Sequence, residues 1–323
     1  MVLRDDERHE RRELQRRRAR RHRLTALGAL AAAALAVVAG ALVVAGSGDS
    51  GGGSASTPRD ERTTPAEKGK KAKPADPRSA ARLRQARAAG PVASKEVVHR
   101  EPVAILMYHV IDQAPPGAAL PALYVPRADF SGQMRELRRR GYEGVTLDQV
   151  YQRWHGGPAL PEKPVVVSFD DGHPSWSRDA LPVLDELGWP GVANVQVDLL
   201  GSEQLSKGDV RKLIAAGWEI DSHTFSHADV ATLAPEALER EVAGSRRALR
   251  ERLGVAVNFF CYPAGKRNEA AIEALRRAGY RGATTTEEGA AAPDPAFELR
   301  RIRVNAGVGA SALADRVDAA TGG

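Results

Sequence analysis

The stretch Val165-Val166-Val167-Ser168-Phe169-Asp170-Asp171-Gly172 constrains the fold more than any other part of the chain. A β-branched run without polar interruption predicts a strand buried on both faces, and such strands belong to parallel sheets covered by helices. The run ends in two adjacent carboxylates and a glycine. Two neighbouring acids repel and lose solvation inside a fold, so they require a cation or a shared proton. Further on, Trp218–Ser222 predicts another short strand, running directly into His223-Thr224-Phe225-Ser226-His227. Histidines at i and i+4 can face one way on a helical turn, as in metal-binding helices. One acid with two such histidines makes a three-ligand site with room for water.

From residue 101 onward the pattern alternates. Strands are expected at Val103–Tyr108, Gly144–Thr146, Val165–Phe169, Val192–Val197, Trp218–Ser222, Asn258–Tyr262, Gly282–Thr286 and Leu299–Val304. Helical spacing lies between them: Phe130, Met134 and Leu137 before Gly141, then Asp148–Trp154, Trp176–Leu187, Ser206–Ala216, Pro235–Leu253, Glu269–Ala278 and Ser311–Ala319. Seven or eight strand–helix repeats predict an α/β fold, most simply a distorted (β/α)7-8 barrel, with a doubly wound open sheet as the alternative. His109, Asp170, Asp171, His223 and Tyr262 each follow a predicted strand. In a barrel those ends converge on one rim, where active sites sit.

The first hundred residues read differently. Residues 1–23 carry ten arginines against five acids and predict a basic cytoplasmic tail. Leu24–Ala45 is 22 residues without a charge, enough at about 1.5 Å per residue to cross a ~30 Å hydrocarbon core. The arginines before it and their absence just after it place the N-terminus in the cytoplasm and the remainder outside, by the positive-inside bias. The run is longer than a usual signal-peptide core, which favours an uncleaved single-pass anchor in the cell membrane; cleavage would give a secreted protein. Residues 46–100 are rich in Gly, Ser, Pro, Lys and Ala, without aromatics, and predict a disordered linker.

The basic pI of about 9.6 belongs to these segments, because residues 101–323 hold 25 basic and 30 acidic side chains. That balance argues against nucleic acid as a ligand of the domain. No obligate protein partner is inferred. The single cysteine, Cys261, excludes an intrachain disulfide and reads as a packed, inert thiol in an apolar run.

Ser168-Phe169-Asp170-Asp171-Gly172 resembles the (T/S)FDDG motif of polysaccharide deacetylases, carbohydrate esterase family 4 or the NodB homology group. Ser222-His223-Thr224-Phe225-Ser226-His227 is similar to the SH(T/S)xxH motif of that family, and Tyr262-Pro263-Ala264-Gly265 to its YPxG motif. Leu106-Met107-Tyr108-His109 resembles the early motif of the poly-β-1,6-N-acetylglucosamine N-deacetylase subgroup. The resemblance covers roughly residues 101–305. It implies that Asp171, His223 and His227 hold one divalent metal, zinc first, with cobalt, nickel or iron as alternatives. It implies that Asp170 is the base, that His109 protonates the leaving amine, and that the Tyr262 N–H helps to hold the oxyanion.

The implied activity is hydrolytic N-deacetylation of an N-acetylated polysaccharide with release of acetate, and the membrane is the other partner. An O-acetyl esterase and a non-catalytic glycan-binding domain of the same fold are the alternatives. The arginine that commonly precedes the YPxG motif is absent, and Arg303 is the expected replacement beside Asp170. His173 is expected to contact substrate or stand exposed, and Asp221 to orient a histidine.

Overall fold

The computed structural model describes residues 100–202 and 204–322. The expected tail (1–23), the expected membrane segment (24–45) and all but the last residue of the expected linker (46–100) lie outside them. Among the described residues no helix is long and apolar enough to cross a membrane.

The strands are β1 (Ala104–Tyr108), β2 (Tyr142–Gly144), β3 (Lys163–Asp171), β4 (Val192–Val195), β5 (Glu219–Ser222), β6 (Phe259–Cys261), β7 (Gly282–Glu288) and β8 (Leu299–Arg303). Their order is β1-β8-β7-β6-β5-β4-β3, and β1 pairs with β3, which closes a seven-strand parallel barrel. The short β2 pairs with the start of β3, below the point where β4 joins it. The open-sheet alternative is thereby excluded, and β2 is a short extra strand beside the start of β3 rather than an eighth stave.

The helices that return the chain are α1 (Arg127–Arg139), α2 (Leu147–Trp154), α3 (Leu181–Leu187), α4 (Lys207–Ala215), α5 (Pro235–Glu239), α6 (Ser245–Leu253), α7 (Glu269–Ala278) and α8 (Ala310–Thr321). Their ends are marked in the sequence. Thr146 and Gln149 form a reciprocal capping box at α2, and Ser206 and Asn268 accept backbone N–H groups at the starts of α4 and α7. Two π-helical segments interrupt the expected helices, Trp176–Ala180 ahead of α3 and Arg240–Gly244 between α5 and α6.

Strand alternation separates two cores. Leu106, Tyr108, Val167, Phe169, Val195, Ile220, Phe260 and Ile302 point outward against helical residues such as Phe130, Leu184, Leu249 and Leu275. Ile105, Val166, Val192, Phe259 and Leu299 point into the barrel, where Leu147, Val150 and Trp154 of α2 close its lower end. Further up the same inward face the side chains turn polar and remain buried: Ser168, Asp170, Asn194, Asp221 and Arg301. A barrel with a dry base and a charged upper layer presents its chemistry at the carboxyl ends of the strands.

Candidate active site

Parallel register brings the strand ends level. Tyr108 lies beside Phe169, Asp170 beside Asn194, Asp171 beside Val195, and Val195 beside Ser222. His109, Asp170, Asp171 and His223 therefore share one rim, as their positions just past the strands lead one to expect.

Asp171 Oδ1 lies 3.2 Å from His223 Nε2 and 3.2 Å from His227 Nε2. His223 Nδ1 is 2.7 Å from the carbonyl oxygen of Cys261, which can only accept, so Nδ1 carries a proton, and Nε2 is the ring nitrogen directed at the Asp171 carboxylate. That is the second contact a metal-binding imidazole ordinarily has. The side chain of His223 is 3% exposed, whereas that of Asp171 is 42% exposed, so the group opens to solvent on the carboxylate side. Burial pushes the Asp171 carboxyl up, and the two imidazoles outweigh that and hold it well below the usual range. One carboxylate oxygen converging with two imidazole nitrogens is a donor set suited to zinc or a similar divalent ion.

The two histidines are not on a helical turn. Residues 223–229 form a loop, with φ of 65° at Thr224 and 62° at His227. The His227 N–H donates to Thr224 Oγ1 at 2.7 Å, and this side-chain bond replaces the helical one. Asp171 also has a positive φ, 84°. Three of the four non-glycine residues with positive φ among those described are thus at this site, the concentration of backbone strain expected where ligands must converge.

Asp170 is 3% exposed and carries three hydrogen bonds. Arg301 Nη1 donates to Oδ1 and Nη2 to Oδ2, both at 2.8 Å, and Asn194 Nδ2 donates to Oδ1 at 2.8 Å. Burial raises its pKa, and the Arg301 guanidinium overrides that and holds the carboxyl far below the ordinary value. The cation beside Asp170 is therefore Arg301 and not Arg303. Both point inward from β8, but the long side chain of Arg301 starts two residues lower and reaches up to Ser168 Oγ, Asp170 and Cys261 Sγ. The thiol of Cys261 thus faces this polar layer and accepts from Arg301 at 3.3 Å, unlike the apolar packing expected for it.

Two other expectations change. Asp221 does not orient a histidine: its Oδ1 accepts the N–H groups of Asn258 and Phe259, at 3.3 and 2.9 Å, because its side chain points into the barrel below the rim. The Tyr262 N–H donates to Thr284 O at 3.1 Å as part of the sheet ladder, so it is already engaged; the Tyr262 ring packs edge-on against Phe260 in the outer core. The rest of that motif has a backbone role. Gly265 adopts φ +69°, and a Cβ there would lie 2.2 Å from Thr286 Oγ1.

His109 lies at the mouth of β1, with Nδ1 buried and no hydrogen-bond partner among the described residues. Burial lowers its pKa, and Asp171 and Asp170 act against that. His173 is half-buried, with Nδ1 2.8 Å from Ser175 Oγ. Asn194, Arg301 and Glu241 were not among the expected site residues. Glu241 is 4% exposed, and its carboxylate accepts the N–H groups of Phe225 and Ser226, at 2.9 and 2.8 Å, together with Ser226 Oγ at 2.8 Å.

The family model for polysaccharide deacetylases matches residues 157–283. A Bacillus subtilis protein that bears the name polysaccharide deacetylase is 30% identical over 211 residues, 65% of this chain and 74% of that one. A poly-β-1,6-N-acetyl-D-glucosamine N-deacetylase of Escherichia coli is 28% identical over 250 residues; the match covers 64% of this chain and 37% of that enzyme's length. A solved Streptococcus pyogenes deacetylase in complex with acetate superposes with a TM-score of 0.64 at 25% identity, over 68% of this chain and 99% of that one.

Proposed function

From the premise that the chain belongs to the polysaccharide deacetylase family, and is a hydrolase of carbon–nitrogen bonds, we propose that it removes acetyl groups from a polymer of N-acetylglucosamine, using one divalent metal ion. The observation that carries this reading is the convergence of Asp171 Oδ1 with His223 Nε2 and His227 Nε2, each at 3.2 Å, one residue from the clamped carboxylate of Asp170. Asp171, His223 and His227 would hold the ion. When bound, it polarises the acetyl carbonyl and acidifies a water molecule.

The chain's own groups then divide the proton work. Asp170, kept ionised by Arg301 and oriented by Asn194, accepts a proton from the attacking water as its oxygen bonds to the acetyl carbon. His109, at the mouth of the neighbouring strand β1, gives a proton to the amide nitrogen as the carbon–nitrogen bond breaks. Acetate departs and the sugar keeps a free amine. With the Tyr262 N–H committed to Thr284, polarisation of the carbonyl is assigned to the cation rather than to that donor.

Poly-β-1,6-N-acetylglucosamine is the first substrate, on the resemblance of Leu106–His109 to that subgroup and the 28% identity to an enzyme of that name. Peptidoglycan N-acetylglucosamine is second. Zinc is the proposed ion. The apolar segment 24–45, with arginines immediately before it and no cation in residues 46–50 just after it, supports a membrane tether with the enzyme on the outer face.

Asp170→Asn tests the assignment. Acetate release should fall by roughly 10²–10⁴-fold, while the zinc content of the protein stays near wild type. Turnover at the wild-type rate would show that Asp170 is not the base. Release of acetate from O-acetylated glycans but never from N-acetylated ones would replace the deacetylase with an esterase.

A further inference from the structure

We propose that Glu241 is a positioning residue that sets the metal affinity of the site by holding the loop that carries His227; this rests on the reading of Asp171, His223 and His227 as the ligands. His223 extends the β5 ladder, its N–H donating to Val195 O at 3.0 Å, and its ring is fixed by Cys261 O. His227 has no ladder. It hangs on a loop whose φ is positive at Thr224 and again at His227 itself, conformations that side chains disfavour.

The carbonyls of Thr224 and Phe225 accept from the Val197 and Asp198 N–H groups, and Thr224 Oγ1 from that of His227; the N–H groups of Phe225 and Ser226 are held by the carboxylate of Glu241. Oε2 accepts from the N–H groups of Phe225 and Ser226, and Oε1 from the Ser226 hydroxyl, so all three bonds go to residues just before His227. Glu241 is buried, and it lies in the π-helical segment Arg240–Gly244. The wider turn of a π-segment re-aims side chains, and such segments cluster at functional sites. A buried carboxylate needs donors, and two backbone N–H groups without a helix or ladder need an acceptor. Each satisfies the other. Without Glu241 the loop would relax, and binding a cation would have to restore the His227 backbone at the expense of affinity.

The test is a titration of the metal-stripped, full-length chain with zinc against a chromophoric chelator, together with the visible absorption of the cobalt-loaded protein, which reports ligand geometry. Glu241→Ala should raise the zinc Kd roughly 10–100-fold and shift the cobalt bands. Glu241→Gln should stay within about threefold and keep the wild-type spectrum, because its amide oxygen still takes the two N–H groups and its NH2 donates to Ser226 Oγ. Wild-type affinity and an unchanged spectrum in Glu241→Ala overturn the proposal. Asp171→Ala separates the two levels: loss of zinc there with none in Glu241→Ala sinks only the positioning role. Wild-type affinity in Asp171→Ala sinks the ligand set and this proposal with it. If Glu241→Ala does not fold, Ser226→Ala decides, with a Kd higher by roughly threefold expected and no change contradicting.

Discussion

Asp170 keeps its charge inside the barrel because a bidentate guanidinium and a side-chain amide meet its two oxygens. Removing one partner of such a pair leaves an uncompensated buried ion, which costs about 3–5 kcal/mol. Arg301→Leu should therefore lower thermal stability strongly and lower acetate release with it. Arg303→Leu should be much milder, because the clamp on Asp170 stays whole; differential scanning calorimetry of the two variants distinguishes them. Sequence reasoning placed a cation on the correct face of the last strand but at the wrong step. Residues 301 and 303 share a face by alternation and carry the same side chain, so only the height on the strand from which the guanidinium reaches up past Ser168 decides which one meets Asp170. Nothing in the sequence taken alone marks Asn194. Its amide becomes meaningful once register sets it beside Asp170.

Among the elements, strands and helices were largely legible from apolar period, as in Val165–Val167 of β3; the second strand, expected at Gly144–Thr146, lies at Tyr142–Gly144 because Thr146 caps α2. The segment from His223 to His227 was not legible. Its i, i+4 spacing suits a helix, but Glu241 and Thr224 capture the backbone N–H groups first. The motif ending in Gly265 is a second element whose backbone rules. There a methyl group would meet Thr286 Oγ1 at 2.2 Å and the Thr286 backbone nitrogen at 2.8 Å, at a positive φ. Gly265→Ala should cost about 2 kcal/mol or more, a Tm lower by roughly 5 °C in a domain of this size. Gly254→Ala, at φ +71° with no atom within 4 Å of its Cβ position, meets only the backbone penalty and should lose less.

At the level of the whole barrel, closure through β1 and β3 is what the alternation could not decide, since a wound open sheet has the same pattern. Closure also encloses an acid pair beneath the rim. Glu219 accepts the Asp148 N–H at the start of α2, and Asp221 accepts from Asn258 and Phe259. Burial raises the Asp221 pKa to about 7, and burial together with Asp221 raises that of Glu219 well above normal. An acid with a raised folded-state pKa binds more protons folded than unfolded, so its effect on stability turns unfavourable as pH climbs from about 4 through 7. The Tm of the wild type should thus fall between pH 5 and pH 8 relative to Asp221→Asn, whose amide oxygen can still accept the same two N–H groups. A Tm difference independent of pH would contradict this.

The central claim is that three side chains from two strand mouths hold one cation and that acetate leaves because they do. Acetate released from poly-β-1,6-N-acetyl-D-glucosamine by the full-length protein, before chelation, after it and after zinc is restored, tests that claim most directly. The account predicts release, its loss with the metal, and its return with one zinc per chain. Undiminished release from the chelated protein, matched by Asp171→Ala, would contradict it.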